Sequence, residues 1–267
     1  MAMSLLSLPG EIRNAIYRFV LYEPEGLDYV EDNAGVGWLC AGRAGSSTVA
    51  ERYGPIMIQK TKNERRIVSN QLQFVCRQLR SETKTPSIPY NDIHFRGYDA
   101  SVVSTFLESL PVYLHSVIKQ INVYPAPGPK EPTVQLDVIA FCHDQPKCTF
   151  NFYHPLISSS NATQLLFTAF MIKHGARGDT TFIQKLSDAP HMHAYLETLL
   201  KERHVEAPIP SIAPNMIFHT SDTTFDEAAF RKSCCARSIP RMLLIPTLVN
   251  GIEDLLEVAK DCVENGF

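Results

Sequence analysis

Long apolar runs are missing from the 267-residue chain. None approaches the ~20 residues a membrane-spanning helix needs, so the sequence predicts no membrane span. No basic segment followed by an apolar stretch stands at the N-terminus, so no secretory signal is expected. Charge of one sign is scarce as well: 25 Lys and Arg face 28 Asp and Glu, a net charge of −3. Nucleic-acid binding draws on an excess of basic side chains over phosphate, and this balance argues against it. The local exception spans Lys60 to Lys84, where Lys60, Lys62, Arg65, Arg66, Arg77, Arg80 and Lys84 outnumber Glu64 and Glu82. We read it as the solvated face of a helix and its lead-in. Phosphate-cradling loops, dinucleotide glycine fingerprints and nucleophile elbows are missing too, which leaves no standard catalytic motif and no expected cofactor. Seven irregularly spaced cysteines suggest reduced thiols and a cytoplasmic or nuclear protein, making the sequon at Asn161 idle.

What is present is an ordinary globular composition, 45% hydrophobic and 20% charged, in a chain long enough to bury a core. Pro9 suits a first helical turn, and Ile12, Ile16, Phe19 and Val20 follow at helical spacing, predicting one buried face. Pro24 and Gly26 end that helix. Residues 27–69 read as a strand-and-loop insertion, with a strand over Tyr53 to Ile58 and a mobile stretch at 41–48. A second helix follows, capped by Asn70 and carrying Leu72, Val75, Cys76 and Leu79 as its apolar stripe. Ile93-His94-Phe95, Ile121-Asn122-Val123 and Thr149-Phe150-Asn151-Phe152 are strand-like runs that start 28 residues apart, with helices at 99–118 and 132–144 between them. This alternation favours parallel βαβ units; leucine-rich-repeat-like units are the other reading of the period. From 162 the chain turns helical, at 162–174, 188–203, 223–237 and 251–264, with Asp222 and Asn250 as caps and one strand at Met216-Ile217-Phe218. We expect a single domain over 1–267: helices and insertion to 98, helix–strand units over 99–160, and a helical C-terminal half over 161–267.

Several clusters carry chemistry-bearing side chains. Cys142-His143-Asp144, with Cys148 and His154, lacks the tight pairs of a zinc site. Neighbours on one helix point apart, so Cys142 and His143 form no nucleophile pair, and a buried cysteine at a helix end is the simpler account. His191-Met192-His193 sits in a helical context where i, i+2 residues diverge, so no metal site is expected. Cys234-Cys235 reads as helix packing, and Arg177-Gly178-Asp179 as a loop. Phe150 and Phe152 share a strand face that core packing explains, with Tyr153 on the other.

Leu8-Pro9-Gly10-Glu11-Ile12-Arg13-Asn14-Ala15-Ile16-Tyr17 and Val75-Cys76-Arg77-Gln78-Leu79-Arg80-Ser81-Glu82 resemble the paired helices of fungal F-box-like, or "two-EXR" domain, proteins. Tyr90-Asn91-Asp92-Ile93-His94-Phe95 and the helix–strand from Phe106 to Val123 resemble that family's next landmarks, so the resemblance covers about residues 5–124. It implies F-box-like helices packed on a small mixed sheet of strand–helix units, an α+β or α/β fold. It also implies a non-catalytic protein–protein interaction module, a degenerate F-box-type substrate adaptor whose partner is a Skp1-type adaptor. The implied partner-binding residues are Leu5, Leu6, Leu8, Pro9, Ile12 and Ile16. The 27–69 insertion separates helices that an F-box keeps close. We therefore expect Ile12, Ile16, Val75 and Leu79 to serve the chain's own core and the docking surface to be lost. The alternative is a cofactor-independent small-molecule-binding protein or enzyme of fungal secondary metabolism. Its aromatic-lined pocket would take a small apolar ligand, with His94, His143, Tyr153 and His191 as candidates.

Overall fold

The computed structural model describes residues 5–31, 35–42, 72, 75–83, 87–98, 100–126, 135–179, 211–235 and 252–267. Among them it forms eight α-helices and a six-stranded mixed sheet of order β2-β1-β3-β4-β5-β6, an α+β arrangement as expected. The strands are β1 (Leu27–Glu31), β2 (Gly37–Ala41), β3 (Ile93–Arg96), β4 (Gln120–Tyr124), β5 (Thr149–Tyr153) and β6 (Met216–His219). The chain divides into two compact units, Met1–Ala126 with Lys147–Phe150, and Pro127–Pro146 with Asn151–Phe267.

In the first unit, α1 (Gly10–Leu21) starts at Pro9, whose carbonyl accepts from the Ile12 and Arg13 amides. The helix stops short of Pro24, because the residue before a proline disfavours helical backbone. A tight turn follows, closed by Gly26 N–H donating to Glu23 O at 2.9 Å. Gly26 takes φ +71°, and a Cβ there would stand 2.5 Å from His94 Nε2, so only glycine fits the turn. The chain then enters β1, which pairs antiparallel with β2 and parallel with β3. Leu27–Glu31 and Gly37–Ala41, within the strand-and-loop insertion, are thus strands of the sheet. Their alternation, Leu27 and Tyr29 inward, fixes the register. The expected strand at 53–58 and the Asn70 cap lie outside the described residues, as does the expected mobile stretch at 41–48 except for Ala41, which ends β2, and Gly42.

The parallel βαβ expectation holds for β3 and β4. β3 pairs parallel with β4, Ile93 facing Ile121, a step of 28 residues that matches the sequence period. Between them run α3 (Ala100–Ser109) and α4 (Val112–His115), the former burying Val103, Phe106 and Leu107. Phe106 meets the Phe95 and Tyr29 rings edge-on, at 5.3 and 5.5 Å between centroids, which places α3 over the apolar side of the strands.

In the second unit, α5 (Leu136–Asp144) buries Val138, Ile139, Phe141 and Cys142. Asn161 caps α6 (Ala162–Ala169) by accepting from the Gln164 amide, and a π-helical stretch, Phe170–Ala176, extends it. α7 (Glu227–Cys235) and α8 (Ile252–Asn265) complete the helices. Asp226, not Asp222, caps α7: its carboxylate accepts from the Ala229 amide at 2.9 Å, whereas Asp222 accepts from the Ser159 amide. Phe267 pairs by two backbone bonds with Phe218 of β6. The expected helix at 188–203 and the Asn250 cap lie outside the described residues.

Candidate functional site

The two halves of the opening motif meet in the first unit. α2 (Arg77–Thr83) buries Leu79 and Thr83, and Leu79 joins Tyr17 and Leu21 of α1 in one cluster. Leu5, Leu6, Leu72, Cys76 and Tyr90 pack against it. Four donors converge on the Glu82 carboxylate: Arg13 Nε and Nη2 at 3.1 and 3.2 Å, Tyr17 Oη at 2.6 Å, and Gln78 Nε2 at 2.9 Å. The paired Arg13 contacts make a two-pronged, charge-assisted grip. These donors hold the Glu82 carboxyl below its ordinary value, the Tyr17 hydroxyl contributing most. Burial, then the Glu82 contact, pushes the Tyr17 phenol up. Asn91 locks the other end of α1: its Nδ2 donates to Leu21 O at 2.6 Å and its Oδ1 accepts from the Glu23 amide. Arg13 and Tyr17 of the first motif half, Glu82 of the second and Asn91 of the next landmark are therefore the residues that join α1, α2 and the entry to β3.

The buried face of α1 is Tyr17 and Leu21, not the Ile12, Ile16, Phe19 and Val20 face expected. Ile12, Phe19 and Val20 are 49%, 86% and 46% exposed, and Ile16 is half-buried. At 100° per residue, Tyr17, Leu21 and Arg13 form one stripe and the four apolar residues a second, rotated from it around the helix. The expectation that Ile12 and Val75 serve the core is also corrected: both are exposed, and of the four residues named only Leu79 is buried. The cause is the Glu82 grip, which turns the Arg13–Tyr17 side of the helix inward. Of the six partner-binding candidates, Pro9 and Ile12 face solvent, Leu8 and Ile16 are half-buried, and Leu5 and Leu6 lie against the cluster. Phe19 and Val20 are the surface residues that sequence reasoning assigned to the interior.

Of the pocket candidates, His94 belongs to the first unit and His143 and Tyr153 to the second. His94, on β3, lies over Gly26 and stacks with Tyr124 at 6.1 Å. His143 ends α5, its Nε2 2.9 Å from Ser211 O. Tyr153 stacks on His219 at 4.6 Å, and His219 Nε2 stands 3.0 Å from Asn151 Oδ1. Burial lowers the His219 imidazole below its usual value. His191 lies outside the described residues. Phe150 and Phe152 are buried, as core packing predicts. Cys142 is buried, and burial pushes the Cys148 thiol up to about 12, so Cys148 is no thiolate nucleophile at neutral pH. Among the described residues no group of three His, Cys, Asp or Glu side chains is placed to hold a metal ion, and no helix is long and apolar enough to cross a membrane.

No family model, curated protein or solved structure matches the chain.

Proposed function

We propose that this protein is a non-catalytic protein–protein interaction module of the F-box-like kind, whose α1 docks a Skp1-type adaptor. The observation that carries the reading is the exposed apolar stripe of Ile12, Phe19 and Val20 on α1, extended by Ile16. A helix stripe that the fold leaves to solvent, while another stripe of the same helix is buried, is a surface with a use. Exposed Arg18 on α1 and Arg77 and Arg80 on α2, against Glu11, make these helices net basic and suit an acidic partner surface.

Binding of purified Skp1-type adaptor to the full chain, measured by calorimetry, tests the reading. Phe19→Ser is expected to weaken binding at least about tenfold, since a large aromatic at an interface centre carries much of its energy. Adaptor that fails to bind the wild-type chain overturns the proposal.

A further inference from the structure

The two edge strands of the sheet, β6 and β2, are treated differently. On β6 the outward backbone groups are taken. The Met216 amide donates to Ala213 O, the Arg177 guanidinium donates to Met216 O, and Phe218 exchanges two bonds with Phe267. Covering of this kind keeps an edge strand from pairing with another chain.

The register of β2 shows where its own backbone groups point. The Gly42 amide donates to Gly26 O, so Gly26 and Gly42 form a hydrogen-bonded pair of the antiparallel ladder. Such pairs alternate, so Cys40 with Asp28 and Trp38 with Val30 are the next two. The intervening residues of β1 turn the other way: the Leu27 amide donates to Asp92 O, on the β3 side. Gly37, Leu39 and Ala41 therefore direct their N–H and C=O groups away from β1. None of these three has a hydrogen-bond partner on that side among the described residues. Solvent reaches the strand, since Gly37 is exposed and the other four residues are partly exposed. Gly37-Trp38-Leu39-Cys40-Ala41 also carries none of the charges or prolines that keep an edge strand single.

We propose that β2 is a self-association edge, to which a second copy of this chain adds its own β2, antiparallel about a two-fold axis at Leu39. A two-fold contact requires a strand that matches its own reverse. β2 does so. The axis places Leu39 opposite its counterpart, Trp38 opposite Cys40, and Gly37 opposite Ala41. No pair brings like charges together, and each large side chain meets a small one or another aliphatic. Three outward residues with one N–H and one C=O each form about six hydrogen bonds across the junction. An uncharged strand offers a foreign peptide no charge to recognise, whereas a copy brings the uncharged strand that fits. This edge is separate from the α1 surface and does not rest on the docking reading.

Sedimentation of the full chain in reducing buffer is expected to show a monomer–dimer equilibrium. Residue-resolved amide hydrogen exchange then locates the contact. The Leu39 and Ala41 amides should slow at least about tenfold from dilute to concentrated protein, as newly paired amides do. The Trp38 and Cys40 amides, already paired with β1, should be slow at both concentrations. Leu39→Pro removes an outward N–H and spares the β1 ladder, so it should weaken association about tenfold or more with circular dichroism unchanged. Phe19→Ser, on α1, should leave association as it is. A chain that stays monomeric at the highest concentration used overturns the proposal. So does a dimer whose Leu39 and Ala41 amides exchange as fast as those of the monomer, a reading that needs no variant and stands if Leu39→Pro does not fold.

Discussion

Glu82 is where the opening motif becomes a structure. Its side chain takes hydrogen bonds from Arg13 and Tyr17, 69 and 65 residues away, while Gln78 braces it from its own helix. Because these donors favour the ionised form, the native carboxyl releases its proton below the ordinary value of 4.5. A depressed native value means the stabilisation is complete above the unfolded value and is lost as pH falls through the native one. Glu82→Gln should therefore lower the denaturant midpoint at neutral pH and flatten its decline in acid. Midpoints measured from pH 7 down to pH 3 check this; a wild-type slope in the variant would mean the carboxylate does not link the helices.

At the scale of an element, α1 shows how two apolar stripes on one helix are told apart. The stripe of Ile12, Ile16, Phe19 and Val20 has the stronger periodicity, and the stripe of Tyr17 and Leu21 is the one buried. Leu21→Ala should cost about 2–5 kcal/mol in unfolding free energy, the usual range for a buried leucine. Phe19→Ser should change it by less than about 0.5 kcal/mol, as exposed positions do. Urea unfolding of both variants measures the contrast, and a large loss from Phe19→Ser would return that residue to the core. Periodicity alone could not orient this helix, because the deciding partner, Glu82, is distant in the chain. The strands were easier to read. Ile93, Phe95, Ile121 and Val123 alternate with polar residues, and alternation is a local property. Within 27–69 the sequence locates a strand only at Tyr53 to Ile58, and β1 is defined by its pairing with β2 and β3 rather than by a local signal.

Across the whole molecule, each unit is secured by contacts far apart in sequence. In the second, Lys173 pairs with Asp261 at 2.7 Å, and Ser233 Oγ accepts from the Ala162 amide. Phe267 is buried, and its backbone both donates to and accepts from Phe218. Phe267→Ala should cost about 3–5 kcal/mol, the range for a buried phenylalanine, read as a lower thermal midpoint. An unchanged midpoint would show the Phe267 side chain to be dispensable. The helical character of this half was legible from its apolar spacing, but the cap of α7 was not. Asp222 and Asp226 both precede that helix, and only the Ser159 amide, remote in sequence, takes Asp222 away.

The route of the chain between the motif helices has one more consequence. α1 passes directly into β1, β1 pairs with β3, and Asn91 at the entry to β3 grips the end of α1. The motif is thus woven into the sheet rather than hung from it. The paired helices are therefore not a portable cassette. Grafting residues 8–82 onto another scaffold would carry β1 without its β3 neighbour and α1 without its Asn91 lock. Any transplant of α1 and α2 has to move the sheet along with the helices.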